Sequence, residues 1–161
     1  QVHEVIERAL WCWDMDKLPL WLSVDSGEHS MAEFDGSISK MWVTGVKLSG
    51  YARDQKIRLI KLDVEGAEQK VLEGAAFHLD RRVPFVVCEL NGPALKRMGD
   101  SQASLRKLMT SYGYDMFVLH PDGQIPSLVP LGSVVEASTA NTNVLFSTLR
   151  NVGDLWPIVQ V

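Results

Sequence analysis

The chain has 161 residues, a net charge of −4, and apolar and charged shares of 46% and 22%, the composition of an ordinary globular domain. It has no apolar run near the ~18 residues of a membrane span and no basic run longer than Arg81-Arg82, which argues against membrane insertion and nucleic-acid binding and leaves small molecules or proteins as partners. Cys12 and Cys88 do not make a disulfide framework, which fits a reduced, cytoplasmic setting.

In chain order, residues 9–13 and 20–24 read as two strands of a hairpin, with Pro19 at the start of the second. Trp11, Trp13 and Trp21 are either packing residues of a sheet edge or a stacking platform for a sugar or base. Residues 26–30 form a polar loop whose His29 is either a general base or merely solvated. Residues 41–48 read as a short antiparallel edge strand, with Gly45 a bulge or a close approach. Residues 57–62 read as a buried strand that ends abruptly in polar groups at Asp63. Val64, Ala67, Val71, Leu72, Ala75 and Leu79 then have helical period, with Glu65 and Glu68 in the first turn and Arg81-Arg82 after the last. Residues 85–90 form the next strand, closing in Glu89 and Asn91 before Gly92-Pro93 breaks the chain.

Asp100 or Ser101 caps a further helix with Leu105, Leu108, Met109 and Tyr112 on its apolar face, and Gly113 stops it. A strand over 114–120 and a turn at Pro121-Asp122-Gly123 follow. Residues 124–142 lack a period and read as a lid or substrate loop, or as a loop hiding a short strand or helical turn. Residues 143–148 form the last strand, and Trp156 in the tail docks on the domain.

A right-handed crossover between the strands at 57–62 and 85–90 sets their carboxyl ends side by side, so Asp63, Glu65, Glu89 and Asn91 line one crevice. Lys61 and Asp63, two apart in an extended strand, point to the same side, and their ion pair keeps Asp63 ionised. Glu65 either accepts a proton from a substrate hydroxyl or caps the following helix, and Glu68 reads as a surface or dipole-complementing residue. Glu89 and Asn91 either contact substrate or hold the Gly92-Pro93 turn. Three carboxylates would suit Mg²⁺ or Ca²⁺, but no histidine or cysteine spacing supports a transition ion, and no metal is assigned.

The stretch KLDVEGAEQKVLEGA followed by PFVVCELN resembles the FkbM family of S-adenosylmethionine-dependent methyltransferases, whose pattern reads K-x-D-x-E-G-x-E, V-L-x-G-A and P-x-x-x-x-E. The resemblance implies an α/β fold, a Rossmann-like class I methyltransferase sheet that is mostly parallel with an antiparallel last strand. It further implies that residues 1–161 are a partial domain, because the glycine-rich cofactor loop and ribose-binding acid of the family would precede Gln1. The cofactor implied is S-adenosylmethionine, expected to bind this chain weakly or not at all, and the reaction is methyl transfer to a small-molecule hydroxyl. In that reading Asp63, Glu65 and His29 are catalytic, Asp63 also faces the cofactor, and Glu89 and Asn91 bind the acceptor. The partners implied are a small-molecule acceptor and either an upstream half of the same protein or a second copy. The alternative is a non-catalytic binding or assembly module derived from the substrate-side half of such a domain.

Overall fold

The computed structural model describes residues 5–24, 29–135 and 142–156. Residues 26–28 of the polar loop, 136–141 of the long segment and 157–161 of the tail lie outside these. Two sheets organise the chain. The smaller has three strands, β1 (Ala9–Leu10), β2 (Met15–Ser23) and β3 (Ser37–Val46), in the order β1-β3-β2. The larger joins β4 (Leu59–Leu62), β5 (Phe85–Leu90), β6 (Asp115–Val118), β7 (Ser127–Leu128) and β8 (Thr142–Ser147) in the order β4-β5-β8-β6-β7.

The expectation of a mostly parallel sheet is overturned. Among the described residues of the larger sheet only β4 and β5 pair in parallel, and the β5–β8, β8–β6 and β6–β7 ladders are all antiparallel. The cause is strand order: β8 enters between β5 and β6 and runs against both, so one reversed strand converts two ladders at once, and the β6–β7 pairing adds a third.

The N-terminal hairpin is corrected as well. Residues 9–10 pair in parallel with β3, and it is β2 and β3 that form the antiparallel pair. Residues 41–46 therefore belong to the central strand of the small sheet, whereas Pro19 lies within an edge strand, where its missing N–H is tolerated. Gly45 is a close approach: a Cβ there would lie 3.1 Å from Met15 Cγ and 3.4 Å from Trp11 Cβ.

The strand at 57–62 is shorter than expected and half exposed. As an edge strand β4 buries Ile60 and Leu62 but leaves Leu59 57% accessible. The helical period after it is split into α2 (Glu68–Gly74) and α3 (Ala76–Asp80), with Ala75 out of helical register between them. The remaining helices are α1 (Leu48–Tyr51), α4 (Gly92–Arg97), α5 (Gln102–Ser111) and α6 (Leu149–Leu155). Ser101 caps α5 in a reciprocal box with Ser104, whose hydroxyl binds the Ser101 amide.

Alternation along the strands assigns the two faces of the large sheet. Val86, Cys88, Leu90, Val144 and Phe146 pack with Val71, Leu72, Leu79, Leu95, Leu105 and Met109 from α2 to α5. Phe117 and Leu145 point the other way and meet Val152 of α6, with Trp156 packed against them as expected of the tail. Trp11 joins the sheets: it is buried with Leu18 and Ala67, and its carbonyl lies where a Cβ on Gly74 of α2 would stand, 2.0 Å away. Among the described residues no helix is long and apolar enough to cross a membrane.

Candidate active site

β4 ends at Leu62, and the chain turns into α2 through Asp63-Val64-Glu65-Gly66-Ala67. Gly66 has φ 99, and a Cβ there would lie 2.4 Å from the carbonyl carbon and oxygen of Ala94, so the turn is packed directly on α4. Glu65 has φ 48, in the left-handed region that non-glycine residues seldom occupy. Such a conformation costs on the order of 1 to 3 kcal/mol and persists only where neighbours hold it. Here the Ser30 hydroxyl donates to the Glu65 carbonyl at 3.3 Å, and the Asn91 amide donates to the Glu65 carboxylate at 3.3 Å. Through buried Ser30, which bridges to Trp21 of β2, the small sheet is tied to this turn.

Parallel pairing of β4 with β5 brings Glu89 beside Asp63. One carboxylate oxygen from each of Asp63, Glu65 and Glu89 lies within 4.8 Å of the others. Asp63 is held below the usual carboxylate range first by a hydrogen bond from the Glu89 side chain and then by Lys61, against an opposing effect of burial. Lys61 Nζ is 3.3 Å from Asp63, the expected ion pair, but with side chains 46% and 58% accessible it is a surface pair, of the kind that contributes about 0 to 1 kcal/mol.

Asn91 is the N-cap of α4, accepting from the Ala94 amide at 3.1 Å while its other end holds Glu65. His29 Nδ1 accepts from the Ser23 amide at 3.2 Å, which puts the proton of the neutral ring on Nε2 and leaves that nitrogen a donor. Glu68 corrects the sequence reading: it is 1% exposed, and its Oε1 accepts from the amides of Val64 and Gly66 at 3.4 Å each. Burial raises its pKa above the usual value. Glu68 thus occupies amides that would otherwise draw an anion to this turn. The E-G-x-E spacing was the available signal, since an acid three residues after a strained Glu can reach back over the turn. Ser30 gave none, because its partner lies 35 positions away.

The resulting crevice presents carboxylates, with the Val64 and Gly66 amides taken by Glu68, so it is complementary to positive charge. Oxygen donors at this separation are of the kind hard divalent cations use. These residues suit the cationic sulfur of a sulfonium methyl donor; they do not include a glycine-rich cradle for its nucleoside part.

Fold and site together define a domain of helices packed on a mostly antiparallel sheet, with an acidic crevice at the carboxyl ends of the parallel pair β4–β5. Residues 17–116 match the model of the methyltransferase FkbM domain, and the chain belongs to that family. No curated protein and no solved structure matches the chain.

Proposed function

We propose that the domain transfers a methyl group from S-adenosylmethionine to a hydroxyl of a small-molecule acceptor. The observation that carries this reading is the convergence of Asp63, Glu65 and Glu89 at the carboxyl ends of the parallel pair β4–β5, in a chain of the FkbM family. When bound, the cofactor supplies a methyl group on positively charged sulfur. Asp63, kept ionised, is complementary to that charge. Glu65, oriented by Asn91, takes the proton of the acceptor hydroxyl as its oxygen gains the methyl group. Glu89 lies beside both and orients the acceptor. His29, one residue before the Ser30 that bonds the Glu65 carbonyl, offers its Nε2 as a donor rather than a base.

The test is recovery of label from methyl-labelled S-adenosylmethionine in hydroxyl-bearing small molecules, lost on Asp63→Asn. Equal transfer by the variant would reject the assignment. Saturable acceptor binding without any transfer would favour a non-catalytic binding module.

A further inference from the structure

A second cavity, of about 600 Å³, lies at the opposite ends of the same strands, lined by the segment that leads into β4 and the one that leads into β5. Its size falls within the roughly 300 to 1,000 Å³ of small-ligand sites. Arg53, Lys56, Arg58, Arg81 and Arg82 line it against a single acid, Asp54, in a protein whose net charge is −4. Among the described residues none of the five cations is in an ion pair. Five like charges around one concave site repel one another, and the repulsion is relieved most effectively by a multiply charged anion.

Two details show a built site rather than a solvated basic edge. The guanidinium carbons of Arg53 and Arg81 lie 4.7 and 4.0 Å from the centre of one ring, Phe77, which fixes two of the cations relative to each other and to the cavity. Next to it His78 lines the same cavity, is only 3% exposed, and its Nε2 has no hydrogen-bond partner among the described residues. A buried ring nitrogen without a partner is uncommon, and an anion oxygen in the cavity is a suitable one.

We propose that this cavity binds a small polyphosphate, a diphosphate group or its equivalent, through Arg53, Arg58, Arg81 and Arg82. Guanidinium forks match phosphate oxygens in pairs, and the concave form favours a small anion over a membrane surface or a nucleic-acid backbone. Arg58 and Asp63 stand at opposite ends of β4, about 16 Å apart along an extended strand. The anion therefore stands away from the acidic crevice and takes no part in chemistry there.

Isothermal titration of the chain with inorganic pyrophosphate, ionic strength held constant with sodium chloride, tests this. One saturable site is expected. Arg58→Ala with Arg81→Ala, both at exposed positions, should weaken it about a hundredfold, roughly tenfold for each lost charge-assisted contact. Lys17→Ala with Lys107→Ala removes the same charge elsewhere and should leave it unchanged; circular dichroism checks that both double variants are folded. His78→Phe, which fills the cavity floor without a polar atom, should weaken binding with the fold retained. Absence of saturable binding, equal weakening in the two double variants, or binding of single-stranded RNA or anionic vesicles that pyrophosphate does not displace would each overturn the proposal.

Discussion

The two ends of the β4–β5 pair carry opposite charge. At the carboxyl ends Asp63, Glu65 and Glu89 converge within 4.8 Å; at the amino ends Arg53, Lys56, Arg58, Arg81 and Arg82 surround a cavity of about 600 Å³. Both follow from one crossover, because a parallel pair puts like ends of its strands side by side whatever those ends carry. They differ in how charge is contained. At the acidic end Lys61 pairs with Asp63, and the Asn91 side-chain amide donates to Glu65. At the basic end Arg53 and Arg81 face the Phe77 ring, and among the described residues none of the five cations is in an ion pair. The first is arranged to keep one chosen carboxylate ionised, the second to attract a counter-charge.

The largest perturbation of this contrast is Gly66→Val. A β-branched residue at φ 99, with its Cβ 2.4 Å from the Ala94 backbone, must push α4 away from the turn. The backbone strain and overpacking together should cost about 4 kcal/mol in a denaturant titration and abolish the acidic site, whereas an unchanged midpoint would reject the packed turn.

Asp63→Asn comes next, and it separates chemistry from stability. Because the Lys61–Asp63 pair is exposed, unfolding free energy should change by less than about 1 kcal/mol. Turnover should fall about 10² to 10³, the usual effect of removing one preorganised electrostatic contact. A destabilised but fully active variant would make the pair structural.

Glu65→Gly probes the strain at φ 48. Glycine removes a left-handed penalty of about 1 kcal/mol while the carboxylate and its contact with Asn91 are lost. A thermal midpoint that holds or rises while methyl transfer falls is expected; a drop in both would place Glu65 among the structural residues.

Glu68→Gln should give the smallest effect, visible only against pH. The folded-state pKa of Glu68 is raised, so its contribution to stability is complete below the unfolded-state pKa and is lost as pH rises through the folded value. Glutamine keeps an acceptor for the Val64 and Gly66 amides but does not titrate. Relative to the variant, the native protein should lose stability as pH rises above the ordinary carboxylate range, about pH 4. Parallel pH profiles would remove Glu68 from the account.

The acidic end was legible in the sequence because one strand, helix, strand unit contains all of it: apolar runs ending at Asp63 and Glu89 suffice to bring those residues together. The basic end was not. Arg53, Lys56 and Arg58 are diluted by Asp54, Gln55 and Ile57, and become a cluster only when the crossover adds Arg81 and Arg82. Strand direction was illegible for another reason. β8 is buried on both faces from Val144 to Ser147, the pattern of a strand in a parallel sheet, so only its insertion between β5 and β6 shows the sheet to be mostly antiparallel. The break at Ala75 escaped because apolar spacing continues through it from Leu72 to Leu79. Glu68 escaped because a carboxylate at a helix start usually faces water, and its burial depends on amides of the preceding turn.

The central claim, that the carboxylates at the ends of β4 and β5 form a site for a cationic methyl donor, is tested most directly by charge alone. S-adenosylmethionine and S-adenosylhomocysteine differ in the methyl group and in the positive charge on sulfur, and millimolar titrations followed by amide chemical shifts compare them even where binding is weak. The native protein should bind the sulfonium more tightly, with shifts centred on residues 63–66 and 89–91, and Asp63→Asn should remove most of that preference. Equal affinities in the native protein, or a preference that survives the substitution, would contradict the account.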